Sequence, residues 1–177
     1  LKECRDLCEL RLALESHAAG LAAKNRTEAE LREIKFAHDE MRRLTDEMLS
    51  GGKEEVLLES LVREDVRFHI AIMTAAKNEL IKKEILRLHL INRVVMAQPW
   101  ITIDNEHRAE RDAHRPEVVQ SHNDIYDAIA AGDAPTAKLA MERHIQDIID
   151  NRMLGLSEIE KGVRARQLTE EELAYSL

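Results

Sequence analysis

The chain has 177 residues, 44% of them apolar but only 3% aromatic, enough for one domain with an aliphatic interior. Six glycines and three prolines among abundant Ala, Leu, Glu, Lys and Arg give the composition of an all-α protein and argue against a β-rich one. A net charge of −8 argues against this chain tracking a phosphate backbone, and no stretch approaches the roughly 18 apolar residues of a membrane span.

Taken in chain order, the apolar positions Leu7, Leu10, Leu14, Ala18 and Leu21 predict a first helix from Lys2 to about Lys24, with Arg11 and His17 set among them. Cys4 and Cys8 lie one turn apart on it, a spacing that suits two reduced thiols in a cytoplasmic protein better than a staple. Thr27 followed by Glu30 is a capping-box signature for a second helix, whose stripe is Leu31, Ile34, His38, Met41, Leu44 and Met48. Ser50-Gly51-Gly52 ends it. A third helix is expected from about Glu54 to Ala76, and Asn78 can cap a fourth through Ile81, Ile85, Leu88, Ile91 and Val95.

Periodicity is lost between Trp100 and Arg115, a charged segment expected to be a loop or a solvated helical extension and a candidate flap. Pro116 suits a helix start, followed by Val118, His122, Ile125 and Ile129 up to a turn at Gly132-Asp133. The sixth helix carries Ala137, Met141, His144 and Ile148 and is expected to end near Gly155. Ser157 with Glu160, and Thr169 with Glu172, suggest short capped helices in a polar tail.

The chemistry is concentrated on helix three. One face reads Leu58, Leu61, Asp65, Phe68, His69, Ile72 and Ala76, so a carboxylate and an imidazole four residues apart stand where a core helix carries Leu or Ile. Such a carboxylate needs a positive partner, and a metal ion shared with the histidine is one way to supply it. His122 stands ten residues before Gly132 and His144 eleven after Asp133. At ~1.5 Å of rise per residue, both imidazoles lie level on facing helices of one hairpin. Asp65, His69, His122 and His144 therefore form a candidate set for Zn, with Ni or Mn as alternatives. The competing reading is that these are satisfied core residues, since His17 and His38 also fall on apolar stripes. His89, His107 and His114 lack such pairing, although His107 or His114 could close over a site. Arg11 calls for a carboxylate, supplied either by a ligand or by Glu15 on its own helix.

Four segments together resemble a known family: Arg11-Leu-Ala-Leu-Glu15-Ser-His-Ala-Ala-Gly-Leu-Ala-Ala23, Asp65-Val-Arg-Phe-His69 with Asn78, Ser121-His122-Asn-Asp-Ile-Tyr-Asp-Ala-Ile129, and Ala140-Met-Glu-Arg-His144. In order and spacing they are similar, over about residues 5 to 153, to the C-terminal ligand-binding (FCD) domain of FadR-type regulators in the GntR superfamily. The resemblance implies an all-α, antiparallel bundle of six or seven helices, a homodimer, and an effector pocket that holds a divalent metal ion in many members. Asp65, His69, His122 and His144 match the metal-ligand pattern, and Arg11 matches an arginine near the effector. It further implies a small organic acid as effector and operator DNA bound through an N-terminal winged helix-turn-helix domain. That domain is expected to be missing before Leu1. Residues 1–154 would be the effector-binding and dimerisation domain and 155–177 a polar tail, in a cytoplasmic protein with no membrane partner. The alternatives are a metal-dependent hydrolase, weakened by the lack of a general base, since Glu64 and Asp124 point away from their ligand neighbours, and a purely structural metal.

Overall fold

The computed structural model describes the backbone of residues 2–96 and 108–162, with the side chains of 2–4, 55, 89–96, 108, 110–111 and 151–162 outside the described set. Six helices follow one another: α1 (Lys2–Asn25), α2 (Glu28–Leu49), α3 (Glu54–Ala75), α4 (Glu79–Met96), α5 (Arg108–Ala131) and α6 (Ala134–Gly162). The described chain is an all-α antiparallel bundle, as expected. No helix among the described residues is long and apolar enough to cross a membrane.

The helix ends follow local chemistry. Thr27 Oγ1 accepts from the Glu30 N–H at 3.3 Å while the Glu30 carboxylate accepts from the Thr27 N–H at 2.9 Å, completing the capping box. Asn78 Oδ1 accepts from the Ile81 N–H and starts α4. Between α5 and α6, Gly132 adopts φ +73°. Its N–H bonds the Ile129 carbonyl, and the Asp133 N–H reaches back to Ala128. This closes α5 with a left-handed cap that a side chain would strain. Asp133 then caps α6 by accepting from the Thr136 N–H.

Packing runs in a ring: α1 on α6, α6 on α5, α5 on α2, α2 on α3, and α3 back on α1, with α4 outside against α1 and α3. The apolar centre holds Ile34 and Met41 from α2, Phe68 and Ile72 from α3, Ile125 and Ile129 from α5, and Met141 and Ile145 from α6. Burying side chains of this size stabilises the fold by about 1.5–3 kcal/mol each. α1 approaches α6 through small residues: a Cβ on Gly20 would stand 3.2 Å from the Ala134 carbonyl oxygen.

Four expectations need correction. The inner face of α1 is Cys8, Arg11, Glu15, Ala18, Ala19 and Ala22, whereas Leu10 is 40% exposed and His17 lies outside. Small side chains win that face because the helices lie too close for leucine. α5 starts before Pro116 and runs through it. A proline there lacks the N–H of one helical bond, and Arg115 braces the preceding turn by binding Asp112 at 2.8 Å and Glu54 at the start of α3. Val118 is 38% exposed rather than in the core. α6 continues through Gly155 to Gly162, since one helical glycine costs only about 1 kcal/mol. Residues 100–107 of the expected flap, with His107, and the tail from 163 with its Thr169 cap lie outside the described residues, as do the side chains of Cys4, His89, Ile91 and Val95.

Candidate metal centre

α3, α5 and α6 converge on one polar point at one end of the apolar centre. Asp65, His69, His122 and His144 each offer a donor atom, and all four atoms lie within 4.8 Å of one another. The matched heights on the hairpin are realised: the His122 and His144 rings are 4.3 Å apart between centroids, and His69 is 5.3 Å from His144. His69, His122 and His144 are buried, while the Asp65 side chain is 39% exposed. His38 is also buried, but its ring stacks on Tyr126 and stays apart from the cluster.

Partners on the outer side of each ring fix where its proton sits. His122 Nδ1 lies 2.7 Å from the Val118 carbonyl, which can only accept, so Nδ1 donates. Ser121 Oγ donates to that same carbonyl at 2.8 Å and therefore accepts from His144 Nδ1 at 2.9 Å. His69 Nδ1 faces a Glu15 carboxylate oxygen at 2.6 Å. Neutral rings held this way all turn an Nε2 lone pair inward. Inside, His122 Nε2 stands 3.1 Å from Asp65 Oδ1, His69 Nε2 stands 4.0 Å from it, and His144 Nε2 is buried with no hydrogen bond. Lone pairs facing a carboxylate across 3.1 Å repel unless a proton or a cation lies between them.

The donor set fits a divalent ion. Donors around a tetrahedral ion at about 2.0–2.2 Å lie roughly 3.3–3.6 Å apart, so the most widely separated of the four atoms would approach by about 1 Å, a small side-chain adjustment. Burial would raise the Asp65 carboxyl, but in the ion-free cluster a proton between His122 Nε2 and Asp65, together with the positive charge of protonated neighbouring imidazoles, outweighs it and holds Asp65 well below the carboxylate range; a bound cation would take that place. His144 goes the other way: burial, then His122 and His69, push it well down, so it is a neutral ligand near pH 7. Burial also disfavours the charged form of His69, yet Glu15 overrides it and raises that ring. Without a cation the cluster draws a proton to His69.

Arg11 is buried and binds Glu15 at 2.6 Å, making the chain Arg11–Glu15–His69. The ion pair anticipated as one alternative is therefore present. It links Arg11 to the cluster through Glu15. Glu15's bond to His69, and the parts played by Ser121 and the Val118 carbonyl, were not evident from sequence. The available signals were the Arg11/Glu15 spacing on a close-packed helix and the Ser121-His122 adjacency. His114 is exposed, with Nδ1 2.8 Å from Glu117. Beside Asp65 and His122 a cavity of about 220 Å³ opens between α2, α3 and α5, bounded also by Met41, Thr45, Leu61, His114, Arg115, Val118 and Val119.

The FCD domain family model matches residues 6–147. The chain is 30% identical over 151 residues to the HTH-type transcriptional regulator LutR of Bacillus subtilis (strain 168), covering 84% of this chain and 62% of that protein. It is 23% identical to the galactonate operon transcriptional repressor of Escherichia coli (strain K12), covering 76% of this chain and 51% of the repressor. It therefore spans about half to three fifths of the length of these relatives, which are regulators rather than enzymes. Among solved structures, E. coli McbR/YncC shares the fold with a TM-score of 0.65 at 17% identity, over 89% of this chain and 69% of that one. Helical bundle, ligand cluster and family match together make this chain a member of the FCD domain family of GntR-type transcription regulators.

Proposed function

We propose that this chain is a metal-dependent effector sensor: Asp65, His69, His122 and His144 hold one divalent ion, zinc first among the candidates and nickel or manganese next, and a small carboxylate joins it. The observation that carries this reading is the inward set of three imidazole lone pairs beside a carboxylate, with every outer Nδ1 already committed. When bound, the ion supplies a Lewis-acidic anchor with positions open for ligand oxygens. Glu15 orients His69, Ser121 orients His144, and the Val118 carbonyl orients His122. Arg11, with Nε on Glu15, contributes its remaining guanidinium charge to holding the effector carboxylate.

Effector binding shifts the bundle between two packings and so changes DNA binding by an N-terminal domain outside this chain, in a homodimer whose sensing unit is residues 1–154. Residues 155–177 form its tail, and the setting is the cytoplasm. The test uses zinc-loaded and chelator-stripped protein titrated calorimetrically with short carboxylates, alongside operator-fragment binding by the full-length regulator. Carboxylate binding that needs the metal and alters DNA affinity is the expected result. Equal affinity with and without metal would reduce the ion to a structural pin, and unchanged DNA affinity would contradict sensing. R11A should weaken carboxylate binding about tenfold or more while leaving metal content unchanged.

A further inference from the structure

The ligand cluster is closed on most sides. His69, His122 and His144 are at most 2% exposed, whereas the Asp65 side chain is 39% exposed. Asp65 and His122 border the cavity of about 220 Å³ between α2, α3 and α5, together with His114 and Arg115 from the start of α5. His144 also borders a cavity of about 280 Å³ between α5 and α6, but its Nδ1 is bonded there to Ser121 on the cavity wall. The open route to the inward donor atoms therefore runs past Asp65, along the wall that His114 and Arg115 form.

That wall belongs to residues 108–115, the part of α5 that precedes Pro116. Proline has no N–H to bond the Asp112 carbonyl one turn back, and helices bend at such positions. Apolar burial does not hold this arm. Among its described side chains Ala109, Ala113 and His114 are exposed, and Asp112 and Arg115 are half-buried. Charge holds it instead: Arg115, its side chain 11% exposed, binds Glu54, 5% exposed, in the first turn of α3. Asp112 steadies the guanidinium from within the arm at 2.8 Å. Removing the Glu54 charge from a pair so far out of water leaves Arg115 undercompensated and favours its movement towards solvent.

We propose that residues 108–115 are a gate over the metal centre, hinged at Pro116 and latched by the Arg115–Glu54 ion pair. This rests on the metal reading above and adds how the ion enters and leaves. With the pair closed, the arm walls the cavity beside Asp65; when the pair parts, the arm turns about Pro116 and the route opens. The arm supplies none of the four ligands, so the gate sets the rates of uptake and release together and leaves the affinity in place. An ion held equally well in both arrangements does not shift the balance between them.

The experiment is stopped-flow exchange of zinc with a zinc-responsive dye, for the wild type, E54Q and P116A, at dye concentrations where release of the ion limits the rate. Uptake is followed in the reverse direction, the equilibrium Kd is measured by competition, and circular dichroism with melting temperature checks folding. E54Q opens the latch and should speed uptake and release alike, about five- to tenfold, with Kd within about threefold of wild type. P116A restores the missing helical bond, stiffens the hinge and should slow both rates. A merely structural role for the ion pair would raise the release rate of E54Q alone and weaken Kd by the same factor. That result, or rates within twofold of wild type in both folded variants, overturns the gate and leaves the metal site standing. A wild-type protein that takes up no zinc overturns both.

Discussion

Glu15 binds two groups at once, Arg11 through one oxygen at 2.6 Å and His69 Nδ1 through the other at 2.6 Å, with both Glu15 and His69 out of solvent. A carboxylate behind a ligating imidazole sets its tautomer and raises its basicity, and loss of such a partner typically costs 10–100-fold in metal affinity. E15Q should therefore weaken zinc binding by about that factor while stoichiometry at saturation stays unchanged, as read by competition with a chromophoric chelator. It should also lower the melting temperature, because Arg11 keeps its charge without a counter-ion. His38 gives a residue-scale pH prediction. Burial, followed by the nearby Arg42, lowers its pKa below the ordinary value. The unfolded chain then takes up a proton at about pH 6.5 that the folded state resists, so stability falls as pH drops through and below that value. In chelator-treated protein between pH 7.5 and 5.5, wild type should lose more melting temperature than H38Q. Parallel losses would show that His38 does not contribute.

Among the elements, the α5–α6 hairpin sets the site. Gly132 at φ +73° fixes the turn, and that turn levels His122 with His144. G132A places a Cβ on a left-handed backbone and should cost about 1–2 kcal/mol, a shift of roughly 2–8 °C in melting temperature for a chain this size. An unchanged melting temperature would mean that the turn relaxes freely. This hairpin also explains what the sequence made legible. A two-residue turn between long helices leaves one register, so counting residues from Gly132-Asp133 was enough to pair two histidines more than twenty positions apart. α1 was harder. Leu7, Leu10, Leu14, Ala18 and Leu21 trace one stripe, Ala19, Ala22 and Ala23 a neighbouring one, and hydrophobicity ranks the leucines first. Close approach to α6 at Gly20 reverses the ranking, and that approach belongs to tertiary packing. Glu15 was hidden for a related reason: its role depends on the His69 that α3 places opposite it.

Across the whole molecule, five helices close a ring, and the ligand cluster joins three of them at its interior while Glu15 adds α1. An ion bound there ties α3 to the α5–α6 hairpin, and by mass action it stabilises the folded state by RT ln(1 + [metal]/Kd), about 2.7 kcal/mol at a hundredfold excess over Kd. Chelation should lower the melting temperature and abolish carboxylate binding together. Loss of the first without the second would assign the ion to structure alone. On the proposed reading, the exposed side of Asp65 and the cavity between α2, α3 and α5 would place an effector against the helices that a bound ion couples, so that its binding would bias the packing of the bundle.

The central claim is a metal shared by Asp65, His69, His122 and His144. It is tested most directly by elemental analysis of the purified protein after reloading with zinc, nickel or manganese and desalting, beside D65A and H144A. The account predicts about one ion per chain in the wild type, with retention lost in both variants while circular dichroism shows them still helical. No retained metal in the wild type after reloading, or full retention in both variants, would contradict it.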